Sequence, residues 1–142
     1  MTKRPASIMM IEDNMTDIKR TRSALKHARV LNELTVFQQA EPALADLTDP
    51  SRPLPDLILL DLSLPGMSGL DFLQQVKAAP ELKRIPVCTV SSSQAEADIA
   101  KSWDLGVVGY IVKPIDLATL QAAMEHLATF YLEIVVLPPK SL

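Results

Sequence analysis

Four apolar stretches of this 142-residue chain run directly into groups able to do chemistry. Ile8, Met9, Met10 and Ile11 lead into Glu12 and Asp13; Leu57, Ile58, Leu59 and Leu60 lead into Asp61. The run from Val87 to Val90 ends in Ser91 and Ser92, and Tyr110, Ile111 and Val112 end in Lys113 and Pro114. Carboxylates and ammonium groups avoid apolar surroundings unless they are paired or bound to a metal. Three acids, a hydroxyl and a lysine suit a phosphoryl group bound together with Mg²⁺. That ion takes oxygen ligands in octahedral geometry and keeps several waters, so one or two carboxylates, a carbonyl and a phosphoryl oxygen complete its shell. Glu12, Asp13 and Asp61 can supply the carboxylates. The oxygens of a phosphoryl group placed beside them require neutralisation, by the metal and by Lys113.

Each of these residues has an ordinary structural explanation when taken singly, since strand ends carry polar residues where the chain leaves the core. Glu12 and Asp13 alone read as a turn and helix start, Asp61 as a loop cap, Ser91 as a structural hydroxyl and Lys113 as a solvated lysine. The combination is the signal, and it depends on the elements that bring the four places together.

Short apolar strands alternate with longer helical patterns, which argues for parallel βαβ units. Strands are expected at residues 7–11, 34–38, 57–60, 87–90 and 110–112. Asn14 is placed to cap a first helix with apolar positions Ile18, Leu25 and Ala28. A short second helix fits residues 42–47, followed by a stiff connection containing Pro50, Pro53 and Pro55. The third strand is apolar throughout, as expected of a strand buried on both faces at the centre of a parallel sheet. Pro65, Gly66 and Gly69 shape the next loop, and Ser68 with Asp71 resembles a capping box before Phe72, Leu73 and Val76, in a helix ended by Pro80. Ser93 with Glu96 reads as a second capping box, and Gly106 as a C-terminal cap. The last helix carries Leu117, Leu120, Met124, Leu127 and Tyr131 as an apolar stripe. The expectation is one α/β domain over residues 1–133, a doubly wound five-stranded parallel sheet with five helices. In such a sheet the ligand site lies outside the carboxyl ends of the strands, near the point where strand order reverses. Every polar group named above falls on that rim.

Composition narrows the function. The chain is 48% hydrophobic and 22% charged, as globular domains are. A net charge of -3 with scattered Lys and Arg gives no footprint for nucleic acid. The single cysteine, Cys88, reads as a buried thiol in a reducing compartment. No apolar run reaches signal-peptide or membrane-spanning character, so a cytoplasmic protein with no membrane contact is expected.

Four ordered motifs resemble the receiver domains of two-component response regulators, over nearly the whole chain. They are Ile11-Glu12-Asp13-Asn14, the stretch from Leu59 through Asp61 to Gly69, Ile85-Pro86-Val87 leading to Ser91, and Gly109-Tyr110-Ile111-Val112-Lys113-Pro114. The resemblance implies a flavodoxin-like (β/α)5 fold and Asp61 as phosphoacceptor. It implies a Mg²⁺ site of Glu12, Asp13, Asp61 and the Ser63 carbonyl, with Lys113 pairing to the phosphoryl group. Ser91 would be the switch hydroxyl and Tyr110 the switch aromatic, turning into space that Ser91 vacates. A sensor histidine kinase would be the phosphoryl donor and an unidentified protein the downstream partner, with no enzymatic activity beyond the protein's own phosphorylation and dephosphorylation. Two positions depart from the commonest pattern: the first acid is Glu12, and Ser63 stands where Asn or Met is frequent. Neither removes a type of metal ligand, but Ser63 bears on water access and hence on the lifetime of the phosphorylated state.

Two rivals use the same residues differently. A Mg²⁺-dependent phosphohydrolase would need a second acid two residues after Asp61, where Ser63 stands. A pseudo-receiver that binds partners without phosphorylation is disfavoured because the acid, hydroxyl and lysine positions are all filled. Within receivers, the chain resembles the small stand-alone regulators of phytochrome-type histidine kinases. Residues 134–142 read as an extended arm, in which Ile134, Val135, Val136 and Leu137 form a β-branched, apolar run. An apolar edge of that kind is avoided in soluble monomers, so a homodimer with exchanged arms is expected, with folding back on the same domain as the alternative.

Overall fold

Residues 5–29 and 32–131 are described in a computed structural model. They form β1 (Ala6–Ile11), α1 (Met15–Lys26), β2 (Asn32–Phe37), α2 (Ala40–Thr48), β3 (Leu57–Leu60) and α3 (Gly69–Ala78), followed by β4 (Val87–Ser91), α4 (Glu96–Asp104), β5 (Gly109–Val112) and α5 (Leu117–Thr129). The strands pair in parallel in the order β2-β1-β3-β4-β5. The order reverses between β1 and β3, which sets the rim where those strands end as the ligand site of a doubly wound sheet.

Side-chain alternation along the strands builds two cores. Ile8 and Met10 join Leu57 and Leu59 on one face, against Ala24 and Leu25 of α1 and Leu120 and Met124 of α5. Met9 and Ile11 join Ile58 and Leu60 on the other, against Ala40 and Ala43 of α2 and Phe72, Leu73 and Val76 of α3. All four residues of β3 are buried, as the unbroken apolar run requires of a central strand. Each large side chain so buried contributes about 1.5–3 kcal/mol relative to exposure.

Local signals set the helix ends. Asn14 Oδ1 accepts from the Asp17 N–H at 3.0 Å, Ser68 Oγ from Asp71 N–H at 3.1 Å, and Asp116 Oδ1 from Thr119 N–H at 2.9 Å. Gly106 closes α4 at φ 89°, its N–H donating to the Trp103 carbonyl at 2.9 Å. Only glycine adopts that conformation without strain. α2 begins two residues before Pro42, which is tolerated in the first turn because its missing N–H has no partner within the helix.

The second capping box does not form. α4 starts at Glu96 with Ala95 as the cap residue and no side-chain cap. The Ser93 hydroxyl instead donates to Asp98 Oδ2 at 2.6 Å. Ser93 lies two residues too early for the helix start, so its oxygen accepts from the Ala95 N–H at 3.4 Å and not from a backbone N–H inside the helix. The helical stripes also differ in detail. α1 ends at Lys26, so Ala28 lies beyond it and Thr21 and Ala24 are buried instead. Leu117, the first residue of α5, is exposed, and the buried stripe is Leu120, Met124 and Ala128. The expected arm, with Ile134, Val135, Val136 and Leu137, and the expected boundary at 133 lie outside the described residues. Among the described residues no helix is long and apolar enough to cross a membrane.

Candidate functional site

Backbone pairing fixes the rim before any side chain acts. The Glu12 N–H donates to the Phe37 carbonyl at 2.9 Å, Asp61 N–H to Ile11 at 3.0 Å and Lys113 N–H to Ser91 at 2.9 Å. The ends of β1, β2 and β3 are thereby held side by side, as are those of β4 and β5, and the pairing of Leu60 with Thr89 joins the two sets. The start of α3 is pressed against this rim: a Cβ on Gly69 would lie 2.3 Å from the Asp61 carbonyl oxygen and 2.5 Å from Leu62 Cα. Gly69 is therefore required for close backbone approach to Asp61, not merely for loop flexibility.

Side chains from three strand ends and one helix then meet. Lys113 Nζ donates to Glu12 Oε1 at 2.7 Å and to Asp17 Oδ2 at 2.8 Å, and lies 3.6 Å from Asp61 Oδ2. Glu12 is 1% exposed and Asp61 5%, while Asp13 is exposed. The second Glu12 oxygen accepts from the Asn14 N–H at 3.2 Å, and Asp61 Oδ1 accepts from the Ser63 N–H at 3.1 Å. Burial pushes the Glu12 carboxyl up to about 7, aided by the neighbouring Asp61 and opposed by Lys113. Burial also works against the charge of Lys113, yet hydrogen bonds to Asp17 and Glu12 hold its proton above the usual lysine range.

This cluster is short of positive charge. One carboxylate oxygen from each of Glu12, Asp13 and Asp61 lies within 4.8 Å of the others, and among the described residues a single ammonium, that of Lys113, serves the group. The all-oxygen donor set and its excess of negative charge suit a hard divalent cation. The Ser63 backbone reaches the same place, since its N–H is bonded to Asp61.

On the β4 side, Ser91 is fully buried and its Oγ accepts from the Ser93 N–H at 3.2 Å. The half-buried Tyr110 donates its hydroxyl proton to the Ser93 carbonyl at 2.9 Å. Ser93 therefore links Ser91, Tyr110 and, through Asp98, helix α4.

The seven residues singled out for the phosphoryl site and its switch, Glu12, Asp13, Asp61, Ser63, Ser91, Tyr110 and Lys113, lie at or beside one rim. Two others act here in roles that sequence spacing does not mark. Asp17 carries half of the Lys113 hydrogen bonding, but an acid in the first turn of a helix reads as a complement to the helix dipole. Its signal was its distance of one turn from the Asn14 cap, which returns it toward Glu12. Ser93 reads from sequence as a helix cap and serves the switch loop instead.

Comparison with known proteins agrees with this geometry. The sequence profile of the response regulator receiver domain matches residues 8–125. The chain is 35% identical over 138 residues to the response regulator Rcp1 of Synechocystis sp., covering 94% of each protein. Its fold superposes on the crystal structure of the Mn²⁺-bound form of Rcp1 with a TM-score of 0.85, at 34% identity, over 95% of this chain and 100% of that one. The phosphorylated cyanobacterial phytochrome response regulator RcpA gives a TM-score of 0.84 at 37% identity, over 96% of this chain and 100% of its own.

Proposed function

Because this chain belongs to the response regulator receiver family, we propose that it takes a phosphoryl group on Asp61 from a sensor histidine kinase and signals through altered contacts with partner proteins. The observation that carries this reading is the meeting of Glu12, Asp13 and Asp61 oxygens within 4.8 Å of one another, beside the Lys113 ammonium. Similarity to Rcp1 and to RcpA, a phytochrome response regulator, supports a phytochrome-type kinase as donor. The protein then works in the cytoplasm, where its single thiol stays reduced.

In the phosphotransfer, an Asp61 carboxylate oxygen attacks phosphorus of a phosphohistidine. The new O–P bond forms as the N–P bond breaks, and the electron pair returns to the imidazole. The Ser63 N–H orients Asp61 by holding Oδ1, and Lys113, 3.6 Å from Oδ2, offers positive charge to the transferring group. Glu12, Asp13, Asp61 and the Ser63 carbonyl are the residues that would hold Mg²⁺, which when bound supplies further neutralisation of the phosphoryl oxygens. The Ser91 hydroxyl turns to the new phosphoryl oxygens and releases Ser93, so that Tyr110 and α4 register the change through the same loop. The chemistry ends on the protein's own side chain. Ser63, in place of a second acid, weighs against hydrolysis of free phosphate esters.

The test is transfer from a purified, autophosphorylated phytochrome-type histidine kinase. Label should pass to the wild-type protein in the presence of Mg²⁺ and not to Asp61→Asn; transfer to both variants alike would overturn the assignment. We also propose a homodimer held by residues 134–142. Sedimentation should find a dimer for the full chain and a monomer after truncation at Glu133, and a monomeric full chain at tens of micromolar, roughly the range of weak dimers, would refute it.

A further inference from the structure

The nearest acceptors of Lys113 are not the phosphoacceptor. Nζ lies 2.7 Å from Glu12 Oε1 and 2.8 Å from Asp17 Oδ2, whereas Asp61 Oδ2 stands at 3.6 Å, beyond hydrogen-bond reach. An ammonium has three N–H donors, so two are committed before any phosphoryl group arrives. The two partners differ in kind. Glu12 is sealed at the end of β1, at 1% exposure. The Asp17 side chain is 24% exposed on the first turn of α1, where water can solvate it when it is released.

The same helix makes a second tie. Arg20 donates to the carbonyl of Ile115, two residues past Lys113. Residues three apart share a helix face, so α1 grips this segment by a side chain and by its backbone at once. The backbone tie keeps the Lys113 segment in place whether or not the Asp17 contact persists.

We propose that Asp17 is a positioning residue that competes with the phosphoryl group for Lys113, drawing the ammonium away from Asp61 in the resting protein. This rests on the receiver reading above. A phosphoryl group at Asp61 must win Nζ from Asp17, or share its remaining donor, against the negative charge that Asp17 adds nearby. Asp17 thereby raises the free-energy cost of the phosphorylated state and sets how strongly the resting state is favoured. Asp17→Asn keeps the shape, removes the charge and leaves the α1 cap intact, because Asn14 is bonded to the backbone N–H of residue 17.

Beryllium trifluoride with Mg²⁺, a non-covalent stand-in for a phosphoryl group on a carboxylate, measures the competition at equilibrium. Asp17→Asn should bind it roughly three- to tenfold more tightly than wild type, the difference between a hydrogen bond to a charged acceptor and one to a neutral amide oxygen. Asp17→Glu should return to wild-type affinity. The Lys113 ammonium resonance, followed by NMR, should move when wild type binds beryllium trifluoride and should be displaced in the same direction in free Asp17→Asn. Wild-type affinity in Asp17→Asn overturns the inference. So does tighter binding with an unmoved Lys113 resonance, which would mean that Asp17 acts through its field and not by holding Lys113. Failure of the wild-type protein itself to bind would overturn the receiver reading instead.

Discussion

Lys113 donates to Glu12 at 2.7 Å across 101 residues of sequence, joining the end of β5 to the end of β1. A carboxylate as deeply buried as Glu12 is tolerated when it is paired, and the loss of one partner from such a pair costs far more than the pair itself is worth. The site is therefore also a structural joint, and its charges are open to stability measurements that need no kinase.

Lys113→Met should destabilise the fold by about 2–4 kcal/mol at pH 8, since it strands Glu12 without its cation. In a Glu12→Gln background the same change should cost much less. Urea unfolding of the four variants measures the coupling, and equal costs in both backgrounds would show that the pair is not the source.

Glu12 predicts an unusual pH dependence for the metal-free protein. Its carboxyl is raised from 4.5 to about 7 in the folded state, chiefly by burial. Between those values the folded protein binds more protons than the unfolded chain, so this group makes stability fall as pH rises from 4.5 through about 7. Wild type should lose more stability than Glu12→Gln between pH 6 and pH 8. The proton and a divalent cation compete for the same oxygens, so stabilisation by Mg²⁺ should be larger at pH 8 than at pH 6. A magnesium effect independent of pH would contradict the placement of Glu12 in the metal site.

Gly69→Ala places a methyl group 2.3 Å from the Asp61 carbonyl oxygen, against backbone that cannot rotate away. It should destabilise by about 2 kcal/mol or more through overpacking and weaken Mg²⁺ binding by displacing Asp61. Gly106→Ala strains only a positive φ in open space and should leave Mg²⁺ affinity unchanged, so the pair separates a site effect from a general loss of stability.

The order of elements was legible because strand and helix periods differ, and because β3 reads as apolar on both faces while Gly106 marks a helix end. The rim was legible because Glu12, Asp61, Ser91 and Lys113 each interrupt an apolar run. What escaped depended on three-dimensional competition for a donor. Ser93 and Glu96 have capping-box spacing, but the helix starts only at Glu96, too late for Ser93 to cap it, and the Ser93 hydroxyl is left to donate to Asp98. Asp17 looks like any acid at a helix start until the fold brings Lys113 to it from 96 residues away. Spacing along the chain carries no information about which of several carboxylates an ammonium will choose.

Chemical mapping tests most directly whether Asp61 is the group phosphorylated. The protein is treated with acetyl phosphate, with and without Mg²⁺, then reduced with borohydride, which converts an aspartyl phosphate to homoserine, and digested for mass spectrometry. Homoserine at position 61, formed only with Mg²⁺ and absent from Asp61→Asn, is the predicted result. Homoserine at another aspartate, or none at position 61 in a folded wild-type protein that binds Mg²⁺, would contradict the account.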